Sequence, residues 1–246
     1  MTGAPGLGRI VGVTRLANRV ISLLVLWVVA VRVLVETAGG ATCEERRSAY
    51  PGDDFVTGSQ RGSTMAVTIG APPSAIWPWL VQMGGGRAGF YSIDRLDNGG
   101  EASAERIHPE WQGLAEGDRI PATPDGRYWF DVARLEPERV LVLASNIDTA
   151  AHRSIPFAAP MARHGMRGLW TFVLEPVGAD ATRLIVRGRG EGRPVVVNRA
   201  MGLVFFDFAH WLMQRVQFAN LRRRAESLPA VPDVSSQPDP LVASRG

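Results

Sequence analysis

Two hydrophobic patterns divide the chain. Residues 20–35 (VISLLVLWVVAVRVLV) are apolar apart from Ser22 and Arg32. As a helix this run spans about 24 Å, and Leu16 and Ala17 extend it toward the ~30 Å of a hydrocarbon core. Arg19 and Arg32 are placed to snorkel at its ends. After Gly117 the period changes to two. In residues 127–133 (RYWFDVA), Tyr128, Phe130 and Val132 share one face. Residues 139–145 (RVLVLAS) read as a continuous apolar strand. Residues 168–174 (GLWTFVL) put Trp170, Phe172 and Leu174 on one side, and residues 182–189 (TRLIVRGR) set Arg183, Arg187 and Arg189 against Leu184 and Val186. This alternation predicts an antiparallel sheet with one face half-solvated.

Helices bracket the strands. Residues 65–69 (MAVTI) read as a short strand, broken by Ala71-Pro72-Pro73-Ser74. Ser74 then caps a helix over residues 75–83, in whose first turn Pro78 is tolerated. Gly84 to Gly86 stop that helix, and residues 90–96 (FYSIDRL) read as a second short one. Residues 198–228 hold no internal Pro and are read as one long helix. Residues 37–62 sustain no hydrophobic period and are read as a polar spacer, and residues 229–246, rich in Pro, Ser and Asp, as a disordered tail. The expected organisation is therefore an N-terminal segment 1–36, a linker 37–62, a folded domain 63–228 and the tail. A run of antiparallel strands closed by helices is α+β, not a doubly wound fold.

Residues 71–98 (APPSAIWPWLVQMGGGRAGFYSIDRLDN), residues 103–121 (SAERIHPEWQGLAEGDRIP) and residues 206–226 (FDFAHWLMQRVQFANLRRRAE) resemble the bacterial SRPBCC (START-like, polyketide cyclase/dehydrase-related) proteins. The resemblance covers residues 65–228. It implies a helix-grip fold, in which a curved sheet wraps a long C-terminal helix around an apolar cavity. The superfamily includes lipid carriers, hydrophobic-ligand binders, cyclases and oxygenase subunits, so the fold leaves the chemistry open.

Composition narrows the partners. The chain has 246 residues and a formal charge of +3, and its 27 basic residues are all Arg. They are spread along the chain and not gathered on one face, which argues against nucleic acid. Arg9, Arg15 and Arg19 precede the apolar run with no acid among them, a weak bias toward a cytoplasmic N-terminus and a main domain outside. A buried helix and a cleaved signal peptide remain alternatives to a single membrane anchor. The single Cys (Cys43) and four His without ligand spacing predict no metal site and no disulfide. Gly84-Gly85-Gly86-Arg87-Ala88-Gly89 matches GxGxxG by letters, but it follows a helix instead of opening one. It is read as a helix stop and a flexible loop, and no cofactor is expected.

His108 with Glu105 or Glu110 forms a weak general acid–base candidate, against a plain reading as a loop lip pinned by ion pairs. Aromatic and polar residues in or beside the packing elements are the expected ligand contacts: Trp79, Tyr91, Asp94, Trp111, Phe130, Trp170, Phe172 and Phe206. Asp207, His210, Gln214 and Gln217 share one helical stripe, which is expected to face water because burying an ionised Asp207 is costly. These features lead to a membrane-tethered binder or carrier of an apolar small molecule or lipid. A cyclase/dehydratase-type enzyme and a non-catalytic envelope interaction module stand as the alternatives.

Overall fold

The side chains of the sheet alternate between two buried layers. In the computed structural model, which describes residues 7–59, 61–202 and 207–227, seven antiparallel strands form one curved sheet. They are β1 (Arg61–Ile69), β2 (Arg119–Pro121), β3 (Trp129–Glu136), β4 (Val140–Asp148), β5 (Arg153–Ser154), β6 (Gly165–Pro176) and β7 (Thr182–Arg193). The order is β1-β7-β6-β4-β3-β2, with β5 added beside β4. Three residues decide the inner face of β6: Trp170, Phe172 and Leu174 lie in or against the main core with Leu141, Leu143, Leu184, Val186 and Met65. Helix α6 (Asp207–Ser227) packs on that face through Phe218, Leu221 and Ala225. The architecture is α+β and compatible with the expected helix-grip arrangement.

The outer face is not half-solvated. The expected spacer is folded onto it. Helix α2 (Cys43–Arg47) starts at a capping box in which the Thr42 side chain accepts from the Glu45 amide while the Glu45 carboxylate takes the Thr42 amide. Arg183 of β7 donates to both Glu45 carboxylate oxygens (2.7 and 2.9 Å) and to the carbonyl of Gly40 (2.7 Å). That partner holds the Glu45 carboxyl below its ordinary value. Arg187 donates to Asp53 (2.8 Å), and its guanidinium lies over the Tyr50 ring. Val56 fills a second small core with Val140, Val142, Ala144 and Leu169, and Ala41 joins Ala66, Val173 and Ile185 in a third. The spacer expectation failed because this segment docks by charge, caps and single apolar residues, none of which is periodic.

Helix α3 (Pro73–Val81) begins earlier than expected, with Pro72 at its N-cap and Pro73 in its first turn. Pro78 therefore lies inside the helix, where it removes one backbone donor. Ile76, Trp79, Leu80 and Val81 bury the inward side. The second short helix is only α4 (Asp94–Asp97), because Tyr91 adopts φ 57° and turns the chain. The glycine run is packed, not flexible. Gly84 and Gly89 bridge each other, and the Gly85 amide donates to the Pro121 carbonyl at 2.8 Å. A Cβ on Gly85 would stand 2.8 Å from the backbone of Thr123, so only glycine allows this approach.

The long C-terminal helix is described in two parts, α5 (Val195–Met201) and α6. Residues 203–206, with the candidate Phe206, and the expected tail 229–246 lie outside the described residues. Helix α1 (Leu7–Ala38) touches the first turn of α6: Arg32 lies 3.8 Å from Asp207, and Trp27 packs on Phe208 with centroids 5.4 Å apart. Within α1, Arg15–Ala38 is the one stretch among the described residues long and apolar enough to cross a membrane. Its length and composition also suit a signal sequence.

Candidate functional site

Between the inner face of the sheet and α6 lies a cavity of about 450 Å³, the size of one drug-sized ligand. Its wall is mostly apolar. Phe90, Phe130 and Trp170 form a three-ring cluster with centroids 6.0 to 6.3 Å apart. Met65, Ile147 and Trp211 continue the lining. Gly188 and Gly190 of β7 open space where side chains would otherwise stand. A Cβ on Gly188 would lie 3.3 Å from Ser63 Oγ and 3.6 Å from His210 Nε2.

The polar groups on α6 face inward. Asp207, His210, Gln214 and Gln217 all line the cavity, which corrects the solvent-facing expectation. Gln214 and Gln217 are buried within a continuous hydrogen-bond chain. Trp170 Nε1 donates to Gln214 Oε1 (3.3 Å), Gln214 Nε2 to Gln217 Oε1 (2.7 Å), and Gln217 Nε2 to the Phe90 carbonyl (2.8 Å). Each amide thus uses its donor and acceptor, which is what makes two buried glutamines affordable in an apolar wall. Asp207 has the Arg32 guanidinium of α1 beside it at the cavity rim. A partner so remote in sequence is invisible to helix spacing.

Asp97 of α4 also lines the cavity. Both of its carboxyl oxygens are buried, and neither has a hydrogen-bond partner among the described residues. The nearby Ser92, whose hydroxyl donates to the Met213 carbonyl (3.0 Å), and the residue's own backbone amide favour the carboxylate, but by less than burial disfavours it. Burial first, and the Asp94 charge second, push the Asp97 pKa from 3.8 up to about 6. The folded protein therefore holds a proton that the unfolded chain has lost between about pH 4 and 6. Stability from this group falls as pH rises through that window, and the cost is fully present above it. After discounting for partial exposure, Asp97→Asn is expected to stabilise by about 1–2 kcal/mol at pH 8 and by almost nothing at pH 4. Urea melts of both proteins at the two pH values check this. Equal gains at both would show that the carboxyl is solvated.

Of the ligand contacts expected from sequence, Phe130 and Trp170 line the cavity. Trp79, Tyr91 and Phe172 are buried in the core behind it. The Tyr91 hydroxyl accepts from Gln82 Nε2 (2.8 Å), and Arg224 lies over its ring; burial pushes its pKa up. Asp94 accepts from Ser103 Oγ at 2.5 Å. Trp111 packs against the core edge with His108 stacked on it, centroids 4.4 Å apart. His108 Nδ1 lies 3.1 Å from the exposed Glu110, and Glu105 is held by Arg223 and Arg224. None of these last five residues lines the cavity. The lip is pinned by the Glu105 ion pairs and by the buried Gln82, whose Oε1 takes the His108 amide (2.9 Å). Sequence reading missed Asp97, Ser63, Gly188 and the methionines, for which spacing carried no signal.

No family model matches the chain, and no curated protein matches it. Among solved structures, it is similar to the hypothetical protein jhp0584 from Helicobacter pylori. That match has 12% identity and TM-score 0.45, covering 75% of this chain and 99% of the other. It is also similar to protein MLL2253 from Mesorhizobium loti, at 17% identity and TM-score 0.40, covering 69% and 99%. A third is the di-domain ARO/CYC BexL from the BE-7585A biosynthetic pathway, at 15% identity and TM-score 0.38, covering 68% and 47%. Likenesses this distant carry nothing about ligand or activity, and the functional reading rests on the cavity.

Proposed function

We propose that this protein binds an apolar small molecule or lipid chain in the cavity under α6 and is tethered to a membrane by α1. The carrying observation is the cavity itself: about 450 Å³, walled mostly by apolar side chains, with the Gln214 and Gln217 amides satisfied by Trp170, each other and the Phe90 carbonyl, and the buried Asp97 carboxyl as one polar point. A wall of that kind rewards apolar area and asks the ligand for few hydrogen bonds. The three-ring cluster of Phe90, Phe130 and Trp170 favours flat or unsaturated ligands by stacking. His108, Glu105 and Glu110 sit outside the cavity, so acid–base chemistry through them is not part of this reading. The exposed apolar surface of α1 supports the tether: Leu23, Leu26, Val29 and Val33 are all more than half exposed. The arginines before the span favour a main domain outside the cytoplasm.

Gly188→Val tests the cavity. The new side chain starts on a strand, where a β-branched residue is well tolerated, and grows into the cavity beside Ser63 and His210. Full-length protein in detergent is expected to bind the fluorescent probe N-phenyl-naphthylamine, and the variant to lose about tenfold in affinity with its melting temperature kept. Native mass spectrometry of the unsubstituted protein should show a co-purified apolar ligand. Equal probe affinity in both proteins would show that the cavity is not where apolar molecules bind.

A further inference from the structure

A second apolar surface stands on the helix that lies in the chain between two cavity-lining elements. Helix α5 exposes Val195, Val196, Val197 and Met201, with Val196 78% exposed. At ~100° per residue, Val196, Ala200, Val197 and Met201 fall within one arc of about 140°. Asn198, the residue that turns inward, lies off that arc and packs against β7. A Cβ on Gly192 would stand 2.6 Å from its Cγ. Three consecutive valines are poor helix formers, and a short water-facing helix gains nothing from them. An apolar arc of this kind on a surface marks a contact with something apolar.

The position of α5 identifies that partner. It follows β7, whose Gly188 and Gly190 line the cavity, and precedes α6, whose Asp207 and His210 do the same. Helix α1 reaches this rim, where Arg32 lines the cavity beside Asp207 and Trp27 packs on Phe208. N-terminal of Trp27, α1 runs on through exposed Leu26, Val25, Leu24 and Leu23. Trp27 and Arg32 therefore mark the stretch over which the apolar span meets the domain. At its other end α1 is fixed to the body: the Ala66 amide donates to the Gly39 carbonyl (2.9 Å), and Arg215 donates to the Ala38 carbonyl (2.8 Å). Little slack separates the span from the sheet. The exposed arginines Arg193 and Arg199 flank the valines of α5, giving an apolar arc with basic edges. That pairing suits the interface of a bilayer carrying anionic lipid.

We propose that α5 is a membrane-contact helix which seats the cavity rim on the bilayer surface, so that the ligand passes between lipid phase and cavity without crossing water. This rests on the tether reading of α1 given above. It adds that the domain lies down on the membrane instead of standing off on a stalk.

The test uses the full chain in vesicles of phosphatidylcholine with phosphatidylglycerol. Cys43, exposed in α2, is first replaced by Ser. An environment-sensitive fluorophore is then attached at Val196→Cys in one protein and at Val25→Cys in another. The expected result is a blue shift and quenching by headgroup-level lipid quenchers at position 196, with deep quenching at position 25. If position 196 is quenched by aqueous iodide alone while position 25 is lipid-quenched, the α5 proposal is overturned and the tether stands. Lipid quenching at 196 without it at 25 supports α5 and removes the tether. Protection of 196 from both quenchers, with disulfide cross-linking between copies, assigns the arc to a second copy of the chain and overturns the proposal. As a second readout, Val196→Asp/Val197→Asp is expected to slow loading of the fluorescent probe from vesicles severalfold while leaving its affinity in detergent unchanged. Unchanged loading would also count against the proposal.

Discussion

A chain beginning at Thr64 is expected to aggregate on expression, whereas one beginning at Gly39 is expected to fold. Starting at Thr64 keeps most of β1 and every inner-face residue, and on the sequence pattern it looks like a clean boundary. It removes what covers the outer face. Val56 is lost, and Val140, Val142, Ala144 and Leu169 keep only Ala133 and Phe157 as apolar cover. Ala66, Val173 and Ile185 lose Ala41. Burying one valine-sized side chain contributes about 1.5–3 kcal/mol, so uncovering two small cores costs on the order of 5 kcal/mol. A domain has only about 5–15 kcal/mol in hand. Arg183 and Arg187 meanwhile lose the carboxylates of Glu45 and Asp53. They would be left in a row on β7, repelling one another beside bare valines. Starting at Gly39 keeps the carbonyl that the Ala66 amide uses, the capping box and both ion pairs. Soluble yield and chemical melts of the two truncations check this. A Thr64 chain that melts like the Gly39 chain would show that residues 39–59 are held by the sheet but do not stabilise it.

The reason this layer was hard to read lies in β4. Residues 139–145 were continuous apolar sequence, the mark of a strand buried on both faces, while β6 and β7 alternated. A sheet with one half-solvated face cannot contain such a strand at its centre. The pattern thus required a cover, but nothing in residues 37–62 looked like one: its contributions are Ala41, Val56, a capping box and two acids. The inner layer was legible because it is made by periodicity, as the alternation of Trp170, Phe172 and Leu174 in β6 shows. The site was legible in part. Phe130 and Trp170 follow from face and size. The stripe of Asp207, His210, Gln214 and Gln217 follows from spacing but its environment does not, since within the helix only His210 offers Asp207 a partner. Arg32, some 175 positions away, and the Trp170 indole are partners that spacing does not show.

Gln217→Leu is expected to cost about 2–4 kcal/mol. Gln217 is 1% exposed and sits at the middle of the chain from Trp170 to Phe90. Leucine is similar in volume, so the loss is not a void. It is the stranding of two buried groups, Gln214 Nε2 and the Phe90 carbonyl, each worth about 1–3 kcal/mol when left unsatisfied. Gln214→Leu strands Gln217 Oε1 and the Trp170 indole, whose bond is the longest of the three at 3.3 Å, and it should cost less. Because the two glutamines share the 2.7 Å bond, the double variant is expected to fall short of the sum by about 1 kcal/mol or more. Urea melts give all three values. Trp170 supplies a second readout, because freeing its indole N–H in an apolar cavity should shift tryptophan emission even where stability hardly moves. If Gln217→Leu melts with the unsubstituted protein, the amide chain is not holding α6 to the segment that carries Phe90. The inner wall would then be held by the packing of Phe218, Leu221 and Ala225 and by the Ser92–Met213 and Asn220–Tyr91 hydrogen bonds.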